Sequence, residues 1–416
     1  MCIPINTCRI CGNPNFETIL DLGIQSLTGV FPKTKGEKIT KGPLELIKCS
    51  TAARPDSCGL VQLRHTYDGN EMYGENYGYR SALNSSMVRH LKDIVTRNLE
   101  IVELQEGDLV IDIASNDGTL LKFYPKENVV LAGIDPTCSK FAKYYEGHIK
   151  IISDFFNVSI IEKEFNGKKA KIITSIAMFY DLEEPLKFVQ DIYQVLADDG
   201  IWVFEQSYMP AMIEHMAYDT VCHEHIEYYG LKQVKWMLDK AGFKIIDLEL
   251  NDTNGGSFKV IVSKQNSKYT ECTETINLLL AKEQQFSSME PFVYFRNGII
   301  RHKSELIDCF SKFKKADLRI FGYGASTKGN VILQYCGITE EIMPFIADVN
   351  EDKFGCFTPG TEIPIISEKI AREMKPDCFV VLPWHFRENI LMREQKYLNS
   401  GGKLIFPLPK IDIVEK

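Results

Sequence analysis

The sequence predicts an α/β protein made of two α/β units and a small cysteine-rich lobe. At 109–121 a short apolar strand runs into a turn of small residues, and at 318–330 a second strand runs into a Gly-rich turn. Two cysteine motifs near the N-terminus predict the lobe. A chain of 416 residues exceeds what one core usually organises. We therefore expect three domains, at 1–72, 73–265 and 266–416.

Composition and charge exclude several classes of function. The formal net charge is −8 with no Lys/Arg-rich block, which argues against nucleic acid or an anionic membrane surface as the main partner. No apolar stretch approaches the roughly 20 residues of a membrane span, and the N-terminus has no signal-peptide pattern. We expect a cytoplasmic protein that binds no nucleic acid and no membrane.

Four cysteines predict a structural zinc site. Cys8 and Cys11 form a C-x2-C knuckle that is followed by a glycine, and Cys49 and Cys58 form a second pair, stretched by an insertion. In a cytoplasmic chain, cysteines are better interpreted as thiols and metal ligands than as disulfides. Two such turns complete a closed tetrahedral zinc site with no open position for chemistry. The alternative is four scattered reduced cysteines.

The turn after the first strand is suited to a ligand that carries positive charge. A dinucleotide site would need G-x-G-x-x-G, whereas this turn has one glycine among acidic and amide side chains. Acidic groups repel a phosphate and attract a cationic or zwitterionic nucleoside. The candidate ligand-binding residues are Asp112, Ala114, Asn116, Asp117 and Gly118. A helix is expected to open at Thr119, and the alternative is a plain strand, turn and helix of an α/β core.

Two further acidic residues favour S-adenosylmethionine as that ligand. Asp135 ends the second strand, where a parallel sheet holds ribose hydroxyls, and Asp154 and Phe155 follow the third, where such enzymes grip adenine. The turn resembles motif I of class I methyltransferases, E/D-x-G-x-G-x-G, with Ala114 and Asn116 in place of the first two glycines. This resemblance implies a class I (Rossmann-like) methyltransferase core.

The densest group of titratable residues lies at 218–229. His223, Glu224 and His225 stand together in it, and a histidine beside a carboxylate is the usual general base near neutral pH. The H-x-H spacing is also compatible with a metal, because alternate residues of a strand face the same way. Upstream, Tyr77 and Tyr79 lie on an irregular segment. This segment is either a lid over the methyl donor, S-adenosylmethionine, or an aromatic linker on the domain surface.

The second Gly-rich turn is suited to a phosphate or diphosphate. Its glycines, hydroxyl and lysine favour an anion at the start of a helix, although a purely structural turn is the alternative. The candidate substrate-binding residues are Gly322, Gly324, Ser326 and Lys328, with Trp384 and His385 after a later strand. They predict a C-terminal, second α/β Rossmann-like domain that binds the substrate.

Taken in order, these motifs resemble the sugar-nucleotide C-methyltransferases of branched deoxysugar pathways. The resemblance implies methyl transfer from S-adenosylmethionine to a sugar ring carbon beside a keto group, and it places Glu224 and His225 in the active site. It also implies that the C-terminal unit helps to hold a nucleotide-sugar. At two positions the chain departs from the pattern, because a tyrosine is expected at Cys222 and a histidine at Tyr180.

These residues predict a mechanism by enolate formation. His225 would be the base, Glu224 would orient its ring and stabilise its cation, and Tyr180 with Tyr77 or Tyr79 would donate to the enolate oxygen. Lys328 would only anchor the acceptor. An O- or N-methyltransferase on the same scaffold and a nucleotide-sugar-binding protein that has lost catalysis are the alternatives. The sequence leaves the oligomeric state open, a monomer included.

Overall fold

The N-terminal lobe is a small antiparallel β structure. The computed structural model describes residues 2–52, 54–72 and 79–416 of the chain. The lobe contains β1 (Ile3–Pro4), β2 (Phe16–Ser26), β3 (Lys41–Cys49), β4 (Val61–Leu63), β5 (His65–Thr66) and the short helix α1 (Gly69–Met72). Strands β2, β3 and β4 pair in sequence order, and β1 pairs with β5. Buried and more exposed residues alternate at the start of β3, as expected for a sheet with one face on a core.

The central part is a seven-stranded sheet. Its strands are β6 (Asp108–Ile113), β7 (Val129–Ile134), β8 (Ile149–Ile152), β9 (Ala170–Ile176), β10 (Leu196–Ser207), β12 (Phe243–Asn251) and β13 (Ser257–Lys264), with the two-residue β11 (Glu227–Tyr228) outside it. The strand order is β12-β13-β10-β9-β6-β7-β8. Only β13 runs antiparallel to its neighbours. The apolar run of β6 is buried, as expected for a parallel sheet covered on both faces.

Helices cover the central sheet on both faces. They are α2 (Ser85–Ile101), α3 (Cys138–Phe141), α4 (Val158–Phe165), α5 (Pro185–Val195), α6 (Met209–Glu214) and α7 (Leu231–Ala241). The side chain of Asn84 caps α2 by accepting from the N–H of Ser86. Buried residues of α2 recur at helical spacing, at Met87, Leu91, Ile94, Val95 and Asn98.

The C-terminal part is a second sheet behind a helical connection. The connection is α8 (Thr273–Glu283) and α9 (Glu290–Lys315). The strands are β14 (Ile320–Tyr323), β15 (Ile346–Asp348), β16 (Ile365–Ser367), β17 (Cys378–Val381), β18 (Lys403–Phe406) and β19 (Asp412–Val414), in the order β16-β15-β14-β17-β18-β19. The remaining helices are α10 (Thr327–Cys336), α11 (Glu368–Glu373), α12 (Arg387–Arg393) and α13 (Gln395–Asn399).

Strand order places a crevice at one edge of each sheet. In the central sheet β6 lies between β7 and β9, and in the C-terminal sheet β14 lies between β15 and β17. The connections leave these strands in opposite directions, so the carboxyl ends of β6 and β9, and of β14 and β17, border crevices where α/β proteins bind ligands. Both turns singled out in the sequence follow these two central strands.

The three parts are tied together by a shared strand and a shared core. The short β11 pairs with β4, with Glu227 opposite Gln62, so the lobe's sheet has the order β11-β4-β3-β2. One apolar core joins the lobe, residues 209–228 and the C-terminal sheet. The segment at 218–229 is therefore held between all three parts. Among the described residues, no helix combines the length and apolar character needed to cross a membrane.

One local prediction was wrong. The helix expected to open at Thr119 is only a 3-10 turn at Leu121–Phe123. The Asp117 carboxylate accepts from both the N–H and the hydroxyl of Thr119, and Pro125 disfavours helical backbone just before it. Too few residues lie between them for a longer helix.

Candidate active site and metal centre

The four predicted cysteines form a compact cluster in the lobe. Their sulfur atoms all lie within 4.8 Å of one another, with 3.5 Å between Cys8 and Cys58 and 3.5 Å between Cys11 and Cys49. Zn–S bonds of about 2.3 Å in a tetrahedron put the sulfurs about 3.8 Å apart, so the cluster fits zinc. Among the residues that the structure describes, this is the one group of His, Cys and acidic side chains placed to hold a metal.

Backbone turns and a buried ion pair hold this cluster against the rest of the chain. Gly12 has a φ of +68° and donates to the carbonyl of Cys8 at 2.9 Å, which closes the first knuckle. The Arg9 guanidinium donates to the carbonyl of Leu63 at 2.7 Å and lies 3.8 Å from the buried Glu227 carboxylate. Since Glu227 lies on β11, the knuckle is tied to the segment at 218–229.

The turn at 112–118, which we call the donor turn, keeps the backbone shape of a glycine-rich loop although two of its three glycine positions hold other residues. Ala114, Asn116 and Gly118 all have left-handed φ angles, of 58°, 51° and 71°. These are the three glycine positions of motif I, so the two substitutions preserve the shape of the loop at the cost of backbone strain. A Cβ on Gly118 would lie 2.8 Å from the ring of Tyr145, which leaves room only for glycine there.

Carboxylates organise the donor turn. Asp135 accepts from the N–H of Asn116 at 2.9 Å and from the N–H of Thr137 at 2.6 Å, so the tip of β7 is tied to the turn after β6. Asp112 accepts from the hydroxyl of Thr174 at 2.6 Å, and burial raises its pKa to about 7. Asp112 is therefore only partly ionised near neutral pH.

The segment before α2 packs on the donor turn. The carbonyl of Tyr79 accepts from the Asn116 amide at 3.2 Å, and the N–H of Ala82 donates to Asp117 at 3.1 Å. The Tyr79 side chain is 49% exposed, which is compatible with both the lid and the surface linker, and Tyr77 lies outside the described residues. Asp154 and Phe155 follow β8 and are exposed at the same edge of the sheet.

The ring of His225 is oriented by a backbone carbonyl. Its Nδ1 lies 3.2 Å from the carbonyl oxygen of Thr220, and because a carbonyl only accepts, Nδ1 carries the proton and Nε2 of the neutral ring is unprotonated. The ring centroid of Tyr180 lies 4.3 Å away. Burial, with a smaller contribution from the Lys328 charge, lowers the pKa of His225 to about 3.

Glu224 does not have the orienting role that we expected. Its carboxylate accepts from the hydroxyl of Thr28, in the N-terminal lobe, at 3.1 Å, while Thr220 orients the imidazole of His225. A Cβ on Gly29 would lie 2.0 Å from the Glu224 carboxylate, so the lobe's backbone closes directly over this group. Burial raises the pKa of Glu224.

His223 lies in a different environment from His225. It is fully buried, its Nδ1 lies 3.3 Å from the hydroxyl of Thr28, and its ring packs edge-on against Tyr67. Burial lowers the pKa of His223 to about 4. The two histidines thus bind different partners, and they belong to no metal-ligand group among the described residues.

Two N–H groups of the C-terminal turn already have partners. Those of Gly324 and Ala325 donate to the carbonyl of Ala347 at 2.8 Å and to the carboxylate of Asp348 at 2.7 Å. The hydroxyl of Ser326 accepts from the N–H of Gly329 at 3.0 Å as the N-cap of α10. The contact of Asp348 with the turn repeats that of Asp135 in the central sheet.

Glycines of this turn serve close packing. A Cβ on Gly322 would lie 2.7 Å from Ile346, and one on Gly324 would lie 2.7 Å from Pro383. Both glycines therefore allow the turn to approach neighbouring strands and loops. They position the end of β14 without presenting a side chain of their own.

The beginning of α10 meets the segment at 218–229. The Lys328 ammonium donates to the carbonyl of Asn254 at 2.9 Å, and its charge acts on Asp219, Cys222 and His225. The indole N–H of Trp384 donates to Asp219 at 2.8 Å. The structure thus brings Lys328, Trp384 and His385 of the C-terminal part close to the His225 cluster.

Known families account for most of the chain. Residues 8–73 match a zinc binding domain family, residues 83–248 a methyltransferase domain family, and residues 252–409 the C-methyltransferase C-terminal domain family. The chain is an S-adenosylmethionine-dependent C-methyltransferase, and these matches confirm the predicted class I core, zinc-binding lobe and C-terminal α/β unit.

Individual relatives agree with this assignment. C-methyltransferase NovU of Streptomyces niveus is 25% identical over 419 residues, covering 99% of this chain and 97% of that protein. A carboxy-S-adenosyl-L-methionine synthase of Staphylococcus epidermidis is 29% identical over 174 residues, covering 35% of this chain and 74% of that protein. A SAM-dependent methyltransferase structure from Methanosarcina mazei is 14% identical and covers 41% of this chain and 96% of that chain, with a TM-score of 0.32.

Several contacts of this C-methyltransferase lie beyond sequence reasoning. Thr28 is an ordinary lobe residue in the sequence, yet it binds Glu224. Thr220 acts through its carbonyl oxygen, which every residue type provides. The sequence could have pointed to Asp219, because it is an acidic residue inside the densest group of titratable residues. Only the fold shows that Trp384 binds it.

We predict one structural zinc ion per chain. Freshly purified, chelator-free protein should contain about one equivalent by elemental analysis, and chelation should unfold the lobe because structural zinc contributes on the order of 10 kcal/mol. Cys58→Ser should lose the metal, whereas the matched variant Cys309→Ser, outside the cluster, should retain it. Less than about half an equivalent in the wild type would contradict the prediction.

We predict that Asp135 binds the ribose of the donor. Asp135→Ala should weaken S-adenosylmethionine binding by about tenfold or more in calorimetry, because charge-assisted hydrogen bonds of roughly 1.5 kcal/mol each are lost. Asp348→Ala is a matched control, since Asp348 makes the same backbone contacts in the other sheet. Equal donor affinity in the wild type and Asp135→Ala would place the ribose elsewhere.

Proposed function

We propose that this C-methyltransferase transfers the methyl group of S-adenosylmethionine to a ring carbon beside a keto group of a nucleotide-linked sugar. The observation that carries the proposal is the orientation of His225, whose Nδ1–H is taken by Thr220. Nε2 is then left as a base beside Tyr180, which follows β9 at the crevice. The resemblance to sugar-nucleotide enzymes supplies the acceptor class.

Carbon methylation needs a base because a C–H bond must be broken first. In the proposed step the proton moves to Nε2 of His225, the C–H electron pair forms the carbon–carbon double bond of an enolate, and the carbonyl electron pair moves to oxygen. S-adenosylmethionine supplies the methyl group. Because β6 and β9 are neighbours, the donor turn and the Tyr180–His225 pair lie at the same edge of the sheet.

The acceptor would lie between the central and C-terminal parts. Tyr180, Trp384 and His385 border this place, and Tyr79 approaches from the donor side. Glu224 is held by the lobe and helps to shape the place for the acceptor. We assign Tyr180 to the enolate oxygen through its hydroxyl, and we place the nucleotide toward the C-terminal unit.

Loss of a ring hydrogen distinguishes carbon methylation from methylation on oxygen or nitrogen and from binding without catalysis. The wild type is incubated with S-adenosylmethionine and a panel of nucleotide-linked keto-sugars in deuterated water, and products are analysed by mass spectrometry and NMR. We expect a new carbon-bound methyl group and loss of one ring C–H. A product methylated on oxygen or nitrogen with every ring C–H retained would refute carbon methylation. Donor binding without turnover of any keto-sugar would indicate a binding protein.

We predict that His225→Gln lowers kcat by about two to four orders of magnitude, the usual contribution of a positioned base, with donor affinity unchanged. His215→Gln is a suitable control because Nδ1 of His215 also binds a backbone carbonyl, that of Gly255 at 3.1 Å, but on an exposed side chain. Its kcat should stay within about twofold of wild type. Near-normal kcat in His225→Gln would make His225 structural, with His223 and Tyr180 the next candidates.

We also predict an unusual pH dependence. Because burial and the Lys328 charge hold the pKa of His225 at about 3, the base form persists well below the ordinary histidine pKa of about 6.5. Since kcat/KM reports groups of the free enzyme, its acid limb should lie below about pH 5. Rates measured from pH 4 to pH 8, with a thermal melt at each pH, check this. An acid limb near 6.5 that vanishes in His225→Gln would contradict it.

A further inference from the structure

Lys328 occupies an unusual place for a phosphate-binding lysine. Its single hydrogen bond among the described contacts goes to the carbonyl of Asn254, at 2.9 Å. An ammonium has three N–H donors, so two remain for a ligand. Because α10 packs against the residues at 218–220, the side chain points toward the reaction cluster and away from the free surface of the C-terminal sheet.

Part of the Gly-rich turn is already bound within the protein and carries a neighbouring carboxylate, which makes it a poor anion site. Its N–H groups at Gly324 and Ala325 are already bound, and Ser326 is the N-cap of α10. Asp348 adds a carboxylate at the same turn, which would repel a phosphate. The charge of Lys328 therefore has a different use from the one that the sequence motif indicates.

Polar atoms without partners mark the space around the ammonium. The side chain of Asp219 is fully buried, and its Oδ1 has no hydrogen bond, although Oδ2 binds Trp384. Nδ1 of His385 is likewise buried without a partner. Buried polar atoms are nearly always paired, so these two atoms indicate that a polar ligand completes the site beside Lys328.

From this geometry we propose that Lys328 is a catalytic residue that donates a hydrogen bond to the keto oxygen of the acceptor. This inference rests on the proposed carbon methylation. As Nε2 of His225 removes the C–H proton, negative charge develops on that oxygen, and the Lys328 ammonium stabilises it. No proton leaves Lys328 in this step. Burial lowers the pKa of Lys328, and the carboxylate of Asp219 opposes this shift, so Asp219 is a positioning residue that favours the cationic form of the lysine.

The position of Lys328 also matches what the base requires. The same positive charge that stabilises an enolate oxygen disfavours the cationic form of His225, so the histidine remains in its base form but is a weak base. Proton removal then depends on stabilising the product anion, which is the contribution of a preorganised cation in a site shielded from water. One side chain thus acts on both partners of the proton transfer.

The test compares Lys328→Met with a matched lysine. Lys353→Met is the control because the Lys353 ammonium donates to the carbonyl of Ala325 at 2.7 Å, in the same turn but away from the His225 cluster. Each variant is assayed with the keto-sugar that the wild type methylates, measuring kcat, KM and loss of the ring C–H in deuterated water. Lys328→Met should lower kcat and the rate of C–H loss by about 10²- to 10³-fold, the usual cost of one oxyanion donor.

The outcomes separate three cases. A raised KM with unchanged kcat in Lys328→Met would restore the phosphate-anchor role and overturn this inference, while carbon methylation by the wild type would leave the proposed function intact. Wild-type methylation without loss of a ring C–H would overturn the proposed function and this inference together. If Lys328→Met fails to fold, Lys328→Ala is assayed with added ethylammonium, and failure of the amine to restore any rate would refute the catalytic role.

Discussion

The hydrogen bond from His225 to the carbonyl oxygen of Thr220 is the interaction on which the rest of the site depends. The same oxygen also accepts from the hydroxyl of Tyr228 at 3.3 Å and from the N–H of Cys222 at 3.0 Å. These contacts fold the segment at 218–229 back on itself and determine which ring nitrogen of His225 carries the proton. A carbonyl can perform this role without titrating, so the tautomer is independent of pH over the working range.

Holding this segment between three parts of the chain has an energetic cost. Asp219, Glu224 and Glu227 are all buried, and burial raises the pKa of each. Each carboxylate has a partner outside its own segment: Trp384 of the C-terminal part binds Asp219, while Thr28 and Arg9 of the lobe contact Glu224 and Glu227. Buried charge that is only partly paired destabilises a fold, and such clusters are retained mainly where chemistry needs them. The lobe and the C-terminal sheet are thus structural components of the site.

The same contact between a carboxylate and a turn occurs in both large sheets, but the two turns have different surroundings. Asp135 and Asp348 each end the second strand of a sheet and each accept a backbone N–H from the turn after the central strand. In the central sheet the turn has left-handed residues and approaches an open edge. In the C-terminal sheet the Lys353 ammonium lies over the ring of Phe31, 4.4 Å from its centroid, and binds the turn. The lobe therefore contacts this turn through Phe31 and Lys353.

Local patterns in the sequence were sufficient for the parts, because each rests on residues close together in the chain. The knuckle at Cys8 and Cys11, the strand and turn at 109–118 and the Gly-rich turn after β14 all have signals within a few residues, so the zinc lobe, the class I core and the second α/β unit could be predicted. The sequence also singled out His225 as a candidate base, since titratable residues cluster around it. The helix at Thr119 failed because side-chain hydrogen bonds and Pro125 compete with a weak local propensity.

Only the tertiary structure decided how these parts act on one another. The contacts of Thr28 with Glu224, of Trp384 with Asp219 and of Lys328 with Asn254 join residues 196, 165 and 74 positions apart. Orientation of His225 by a carbonyl leaves no trace in residue identity, because every residue has that group. Sequence patterns report local backbone geometry and chemical type, whereas charge, burial and pKa depend on which distant groups the packing brings within a few ångströms.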